Sequence, residues 1–219
     1  SRTDITVTLN NHYEVTFGEL DISRALSRGT SMSQYAEDAV LVLAEKIEYS
    51  ILSLHTSITN TVTATNDAED DILTLRERLV NNKVPKFAPK YLYTTPGQMK
   101  RFKKVARATE ADKVGNASQN PTVDPDAGLV FQGVNIFESQ MVRGTGSPVA
   151  YHSFFYTKNA IVLAMRPLPL PEAGTGGTGA IVRDANGFVM RVVKSWNADA
   201  LANQLTTDVL WGTAILDNR

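Results

Sequence analysis

The stretch "RPLPLPEAGTGGTGAIVRDANGF", residues 166–188, decides the fold. Gly174, Gly176 and Gly179 have the G-x-G-x-x-G spacing of a dinucleotide-binding turn. That turn works in one setting, where a buried strand feeds it and a helix N-terminus receives the pyrophosphate. Here "RPLPLPEA" comes first, and its three prolines cannot donate to a central sheet. "AIVRDANGF" follows, with branched residues and an Asn186-Gly187 turn signal where a helix is needed. Gly174, Gly176, Gly177 and Gly179 therefore predict irregular, mobile chain acting as a hinge between two structural pieces. A nucleotide-dependent enzyme using the 174–179 loop is the minor alternative, and a doubly wound parallel sheet loses its main support.

Working outward, "AIVLAM" before the prolines and "GFVMRVVKSW" and "LTTDVLWGTAILD" after them predict strands. Trp196 and Trp211 flank the last pair and are expected in the core or an interface, with core the default. At the other end, Ile5, Val7 and Leu9, then Tyr13, Val15 and Phe17, alternate on either side of Asn10-Asn11. This predicts two strands joined by a tight turn. Between these ends lies the strongest helix signal, from about Ser31 to His55, with a Ser31–Gln34 capping box. Val40, Leu43, Ala44, Ile47, Ile51 and Leu54 form its apolar stripe. At 1.5 Å per residue it spans roughly 37 Å, long against a mean of about 11–12 residues.

"DAEDDILTLRERLVNNKVP" predicts a second helix with acidic residues in its first turn, a stripe of Ile72, Leu75, Leu79 and Val80, and an end near Asn81-Asn82. "KYLYTTPGQMKRFKKVA" predicts a strand and then a helix with Pro96 at its first position. Residues 109–128 form a long polar loop, of a length that is usually either functional or disordered. "LVFQGVNIFESQMV" and "SFFYTKNAIVLAM" add strands. Strands and helices do not alternate, so the class is α+β.

With 42% hydrophobic and 21% charged residues, the chain has the composition of a soluble globular protein. It carries 22 Lys plus Arg against 23 Asp plus Glu, a balance that argues against a dedicated nucleic-acid binder. There is no cysteine, which excludes disulfides, thiolate metal sites and a cysteine nucleophile. His12, His55 and His152 stand far apart in sequence, and no metal or cofactor site is expected. "AVLVLA" and "AIVLAM" are too short to span a bilayer. The polar opening "SRTD" shows no signal peptide, and the missing initiator Met implies an upstream segment removed or not represented. Asn116-Ala-Ser118 matches a glycosylation acceptor without a secretory signal beside it.

No constellation carries catalytic chemistry. Glu37, Asp38, Glu45 and Glu48 read as a solvated or subunit-facing helix flank. Lys100, Arg101, Lys103, Lys104 and Arg107 spread around a helix as a solvated basic face. His152 and Ser153 are neighbours on a strand and point to opposite faces. Glu45, Glu48, Lys100, Arg101 and Lys104 join the glycines as candidate interface or hinge residues.

The order of elements nevertheless resembles a known family. The hairpin, long helix, "ILTLRERLVNNKVP", "YLYTTPGQMKRF", "GVNIFESQMV", "SFFYTKNAIVLAMRPLP", "GFVMRVVKSW" and "TTDVLWGTAILDNR" follow as in the major capsid proteins of tailed bacteriophages. These have the Hong Kong 97-like fold, here in its podophage coat-protein-like branch. The resemblance covers most of the chain and rests on order and spacing. It implies a peripheral domain over 1–64, including the spine helix at about 31–55, an axial domain over 65–187, return strands over 188–210, and a C-terminal strand over 211–219 that returns to the axial domain. The N-terminal arm and half of an extended loop are expected to lie outside the sequence.

The implied function is a non-enzymatic shell subunit forming pentamers and hexamers of an icosahedral capsid around double-stranded DNA. The implied partners are copies of itself, scaffolding and portal proteins, and packaged DNA touched without sequence preference, with assembly in the host bacterial cytoplasm and the virion capsid as destination. The 109–128 loop and the glycine linker are expected at subunit borders. An encapsulin-like nanocompartment shell with protein cargo is the alternative within the same fold.

Overall fold

The computed structural model describes residues 5–21, 32–65, 67–85, 87–105, 129–147, 149–172, 176–185 and 187–218. The chain divides into two units, residues 1–51 with 163–214 and residues 52–162 with 215–219.

In the first unit, helix α1 (Met32–Leu52) buries Ala39, Leu43 and Ile47, spaced by four residues along one stripe. Ala44, expected in that stripe, is exposed, and a 3₁₀ turn over Ser53–Ser57 follows the helix. The expected capping residue Ser31 lies outside the described residues.

The stripe meets an antiparallel sheet. Strand β1 (Asn11–Leu20) pairs along its length with β11 (Ala202–Ile215), from Asn11 opposite Trp211 to Leu20 opposite Ala202. β11 pairs with β10 (Val189–Asn197), and β10 with β9 (Gly177–Arg183). The order is β1-β11-β10-β9, and β8 (Ile161–Met165) also pairs with β11. Alternation sends Val15, Met190, Val192, Val209 and Trp211 into one cluster with Leu43 and Ile47. Trp211 is 1% exposed and lies against Tyr13, whereas Trp196 is 51% exposed, which corrects its expected core placement.

Two sequence expectations change here. Asn10-Asn11 is not a hairpin turn. Residues 5–10 form no strand, and Asn11 begins β1 because its partner is β11, far along the chain. The glycine stretch is not all irregular either. Gly177, Thr178 and Gly179 are strand residues opposite Ser195, Lys194 and Val193.

Both changes have a steric cause on the sheet face opposite the helix. A Cβ at Gly179 would lie 3.0 Å from Leu170 and 3.1 Å from Pro171, so the proline run packs on bare backbone. A Cβ at Gly212 would lie 2.0 Å from the Thr8 carbonyl oxygen, so residues 5–10 cross β11 where no side chain stands. Gly212→Ala is expected to cost about 1–3 kcal/mol, the usual range for overpacking. It should also remove hydrogen-exchange protection from residues 5–10. Unchanged melting together with unchanged exchange there would contradict the packing.

The Asn186-Gly187 signal sits in the β9–β10 hairpin as expected. Gly187 has φ 88°, and its N–H donates to Asp184 O at 3.0 Å, while Asn186 itself lies outside the described residues.

In the second unit, a four-stranded sheet has the order β3-β4-β2-β7. Its strands are β2 (Lys90–Thr94), β3 (Leu129–Phe131), β4 (Val134–Glu138) and β7 (Phe154–Thr157). β2 runs parallel to β4 and antiparallel to β7. Gln132 and Gly133 join β3 to β4 with φ 51° and 72°, the left-handed pair a two-residue hairpin needs. A short pair, β5 (Gly144–Thr145) with β6 (Ala150–Tyr151), stands apart.

Helix α2 (Ala68–Asn81) starts at Asp67, whose carboxylate accepts from the backbone of Glu69 and Asp70. Helix α3 (Pro96–Lys103) starts at Thr95, whose hydroxyl accepts from Gln98 N, with Pro96 at the first position as expected. Ile72, Leu92, Met99, Phe102, Leu129, Val134 and Ile136 form the core between these helices and the sheet. Val80, placed in the apolar stripe of α2 by its sequence, is exposed.

The units break at 51/52, 162/163 and 214/215, against the expected 64/65, 187/188 and 210/211. Pairing to β10 keeps β9 in the first unit. Residues 163–187 and 188–210 therefore belong together, and the glycine stretch lies inside one unit instead of joining two. The hinge expected at Gly176, Gly177 and Gly179 is corrected accordingly.

Candidate functional site

The expected site residues are not gathered into one place. Gly174 and the 109–128 loop, including Asn116 and Ser118, lie outside the described residues. Gly176, with φ 75°, leads into β9, and Gly177 and Gly179 belong to that strand. A strand therefore follows the glycine motif where a nucleotide site needs a helix N-terminus.

Glu45 is exposed and Glu48 partly buried on α1. Beside them Leu41, Val42 and Tyr49 are also exposed, at 64%, 44% and 42%. This long helix thus carries a second apolar surface besides its buried stripe.

Lys100 and Lys104 are exposed at α3, as expected for a basic solvated face, but Arg101 is not. Its Nη1 donates to Gln98 Oε1 at 2.8 Å and its Nη2 to Thr65 O, with Asp71 at 4.0 Å. Buried Asp71 accepts from Thr65 N at 2.7 Å and from Thr65 Oγ1 at 2.8 Å. Arg101 therefore ties α3 to the connector ahead of α2.

Three further arrangements escape sequence reasoning. The buried Asp208 carboxylate accepts from Arg191 Nε at 3.2 and 3.1 Å and from Arg191 Nη2, and Arg191 Nη1 reaches Pro169 O. His12 Nε2 lies 3.8 Å from the same carboxylate.

His55 and His152 stack with ring centroids 4.5 Å apart. His55 Nδ1 donates to Leu52 O at 3.1 Å, and His152 Nε2 is 2.6 Å from Thr145 Oγ1. Among the described residues no three His, Asp or Glu side chains are placed to hold a metal ion.

The third arrangement is an aromatic array of Tyr91, Tyr93, Phe137 and Tyr156, with centroid separations of 5.6 to 6.5 Å. Strand alternation is the signal that would have found it, since Tyr91 and Tyr93 flank core residue Leu92. Burial, reinforced by the neighbouring Tyr93 and Tyr91 hydroxyls, pushes the Tyr156 phenol up to about 12 from 10.0. A raised folded-state value means the native protein holds its proton while the unfolded chain loses it. Stability should be intact below pH 10 and fall as pH rises from 10 toward 12. Tyr156→Phe is expected to flatten that alkaline loss in urea titrations, and an unchanged slope would contradict the assignment.

Solved structures share this fold. A structure of Mycobacterium phage Che8 matches with a TM-score of 0.69 and 16% identity, over 100% of this chain and 73% of the other. The capsid structure of cyanophage P-SCSP1u matches with a TM-score of 0.64 and 10% identity, over 97% and 71%. A virus-like particle from Pyrococcus furiosus matches with a TM-score of 0.53 and 13% identity, over 95% and 73%. No protein-family model and no curated protein matches the chain. The fold is therefore α+β, and it is shared with a phage capsid structure and a virus-like particle.

Proposed function

We propose that this chain is a shell subunit, the major capsid protein of a tailed bacteriophage with the Hong Kong 97-like fold. The observation that carries the reading is a fold match over nearly the whole chain, through both units, to structures of a phage capsid and a virus-like particle. The unit holding α1 corresponds to the peripheral domain, with α1 as its spine, and the unit of residues 52–162 and 215–219 to the axial domain. Pentamers and hexamers of the chain close an icosahedral shell, because each copy meets its neighbours at fixed angles. The exposed apolar surface on α1, with Glu45 and Glu48 beside it, is suited to such a contact. Lys100 and Lys104 supply an exposed basic pair on the other unit.

The work of such a protein is geometric and non-enzymatic. Packaged double-stranded DNA is touched weakly and without sequence preference, in keeping with a net charge of −1. Scaffolding and portal proteins are the further partners, and assembly takes place in the host bacterial cytoplasm. The likeness to a virus-like particle supports a second reading, a shell around protein cargo. Analytical ultracentrifugation tests for the shell, and the absorbance ratio of the sedimenting particle separates the two contents. A boundary confined to monomers and dimers across buffer conditions would contradict both readings.

A further inference from the structure

Strand β9 (Gly177–Arg183) has β10 on one side, and among the described residues no strand on the other. Its free edge is a row of backbone donors and acceptors, the template onto which another strand adds. The side chains there are apolar as well. Ile181 is 37% exposed and Val182 49%, and Leu170, packed beside Gly179, is 44% exposed. Among the other edges, β3 and β7 have three and four residues, β1 carries Glu14 and Glu19, and β8 has all but one of its residues partly buried.

We infer that β9 pairs antiparallel with β9 of a second copy, about a two-fold axis passing at Ala180. The sequence of the strand is complementary to its own reverse. Centring the pair on Ala180 sets Gly177 opposite Arg183, Thr178 opposite Val182, and Gly179 opposite Ile181. Ile181 and Arg183 each face a glycine, Val182 faces the β-branched Thr178, and no like charges meet. Ile181 of the second copy comes to lie beside Gly179, against the Leu170 and Pro171 side chains that cover that glycine. Such a contact is isologous and closes on itself, as a two-fold of a symmetric assembly requires. It shares with the shell reading only the premise that the chain associates with copies of itself.

The chain has no cysteine, so Ala180→Cys introduces a single thiol at the axis. Facing residues of an antiparallel pair have Cα atoms about 4.5–5.5 Å apart, within reach of a disulfide. Mild oxidation of the full chain should give a linked dimer on a non-reducing gel, and Asn159→Cys, exposed in the other unit, should give none. Shells that form without a linked Ala180→Cys dimer overturn this inference and leave the shell reading standing. Linked dimers without shells support the inference and remove the shell reading.

Charge gives an independent arm, because Ala180 is exposed and takes a polar side chain without disturbing a core. Ala180→Lys and Ala180→Glu alone should each lose the association, since like charges meet at the axis, and mixing the two should restore it. Association retained by both single variants would overturn the inference.

Discussion

Replacing Arg191 by methionine is expected to lower the unfolding free energy by about 3–5 kcal/mol, the cost of leaving one member of a buried ion pair behind. Asp208 is 1% exposed and accepts from Nε and Nη2 of that one guanidinium. Methionine preserves most of the stem but leaves the carboxylate without its donors, and Pro169 O loses Arg191 Nη1. The double variant Arg191→Met/Asp208→Leu should recover most of the loss, because the cost lies in the orphaned charge. Urea unfolding of wild type, single and double variants decides it. A single variant within about 1 kcal/mol of wild type would place this pair with surface ion pairs.

The second large effect belongs to Trp211→Ala, expected to cost about 3–5 kcal/mol. Trp211 is 1% exposed and closes the cluster in which Leu43 and Ile47 of α1 meet the sheet. Truncation leaves a cavity between the helix and the sheet, lined in part by Tyr13, whose ring centroid is 5.3 Å away. Among the described residues the indole N–H has no hydrogen-bond partner, so Trp211→Phe keeps an aromatic ring and removes that donor. Its cost should fall well short of alanine's. Equal losses for phenylalanine and alanine would show that ring packing is not what Trp211 contributes.

These sites show how the sequence and the fold divide the information. Elements with local causes are legible. Leu43 and Ile47 recur at helical spacing, Pro96 starts α3, and Asn186-Gly187 marks the β9–β10 turn. Features made by distant partners are not. Asn11 joins a strand because Trp211 lies opposite it, and Gly179 does so because Val193 lies opposite it. Local propensity gives the glycine no such preference. Arg101 looks like one cation among several until Thr65 and Asp71 are brought beside it. His55 and His152 stack although they stand far apart in the sequence. The breaks between the units follow sheet pairing, which no run of composition marks. The capsid resemblance was legible because it rests on the order of elements, and order survives errors at their ends.

Electron microscopy of the purified full chain tests the central claim most directly. The shell reading predicts closed particles of uniform size with icosahedral averages, in which pentamers and hexamers of this fold are recognisable. A field of small monomers or dimers, under conditions where the chain is folded, would contradict it.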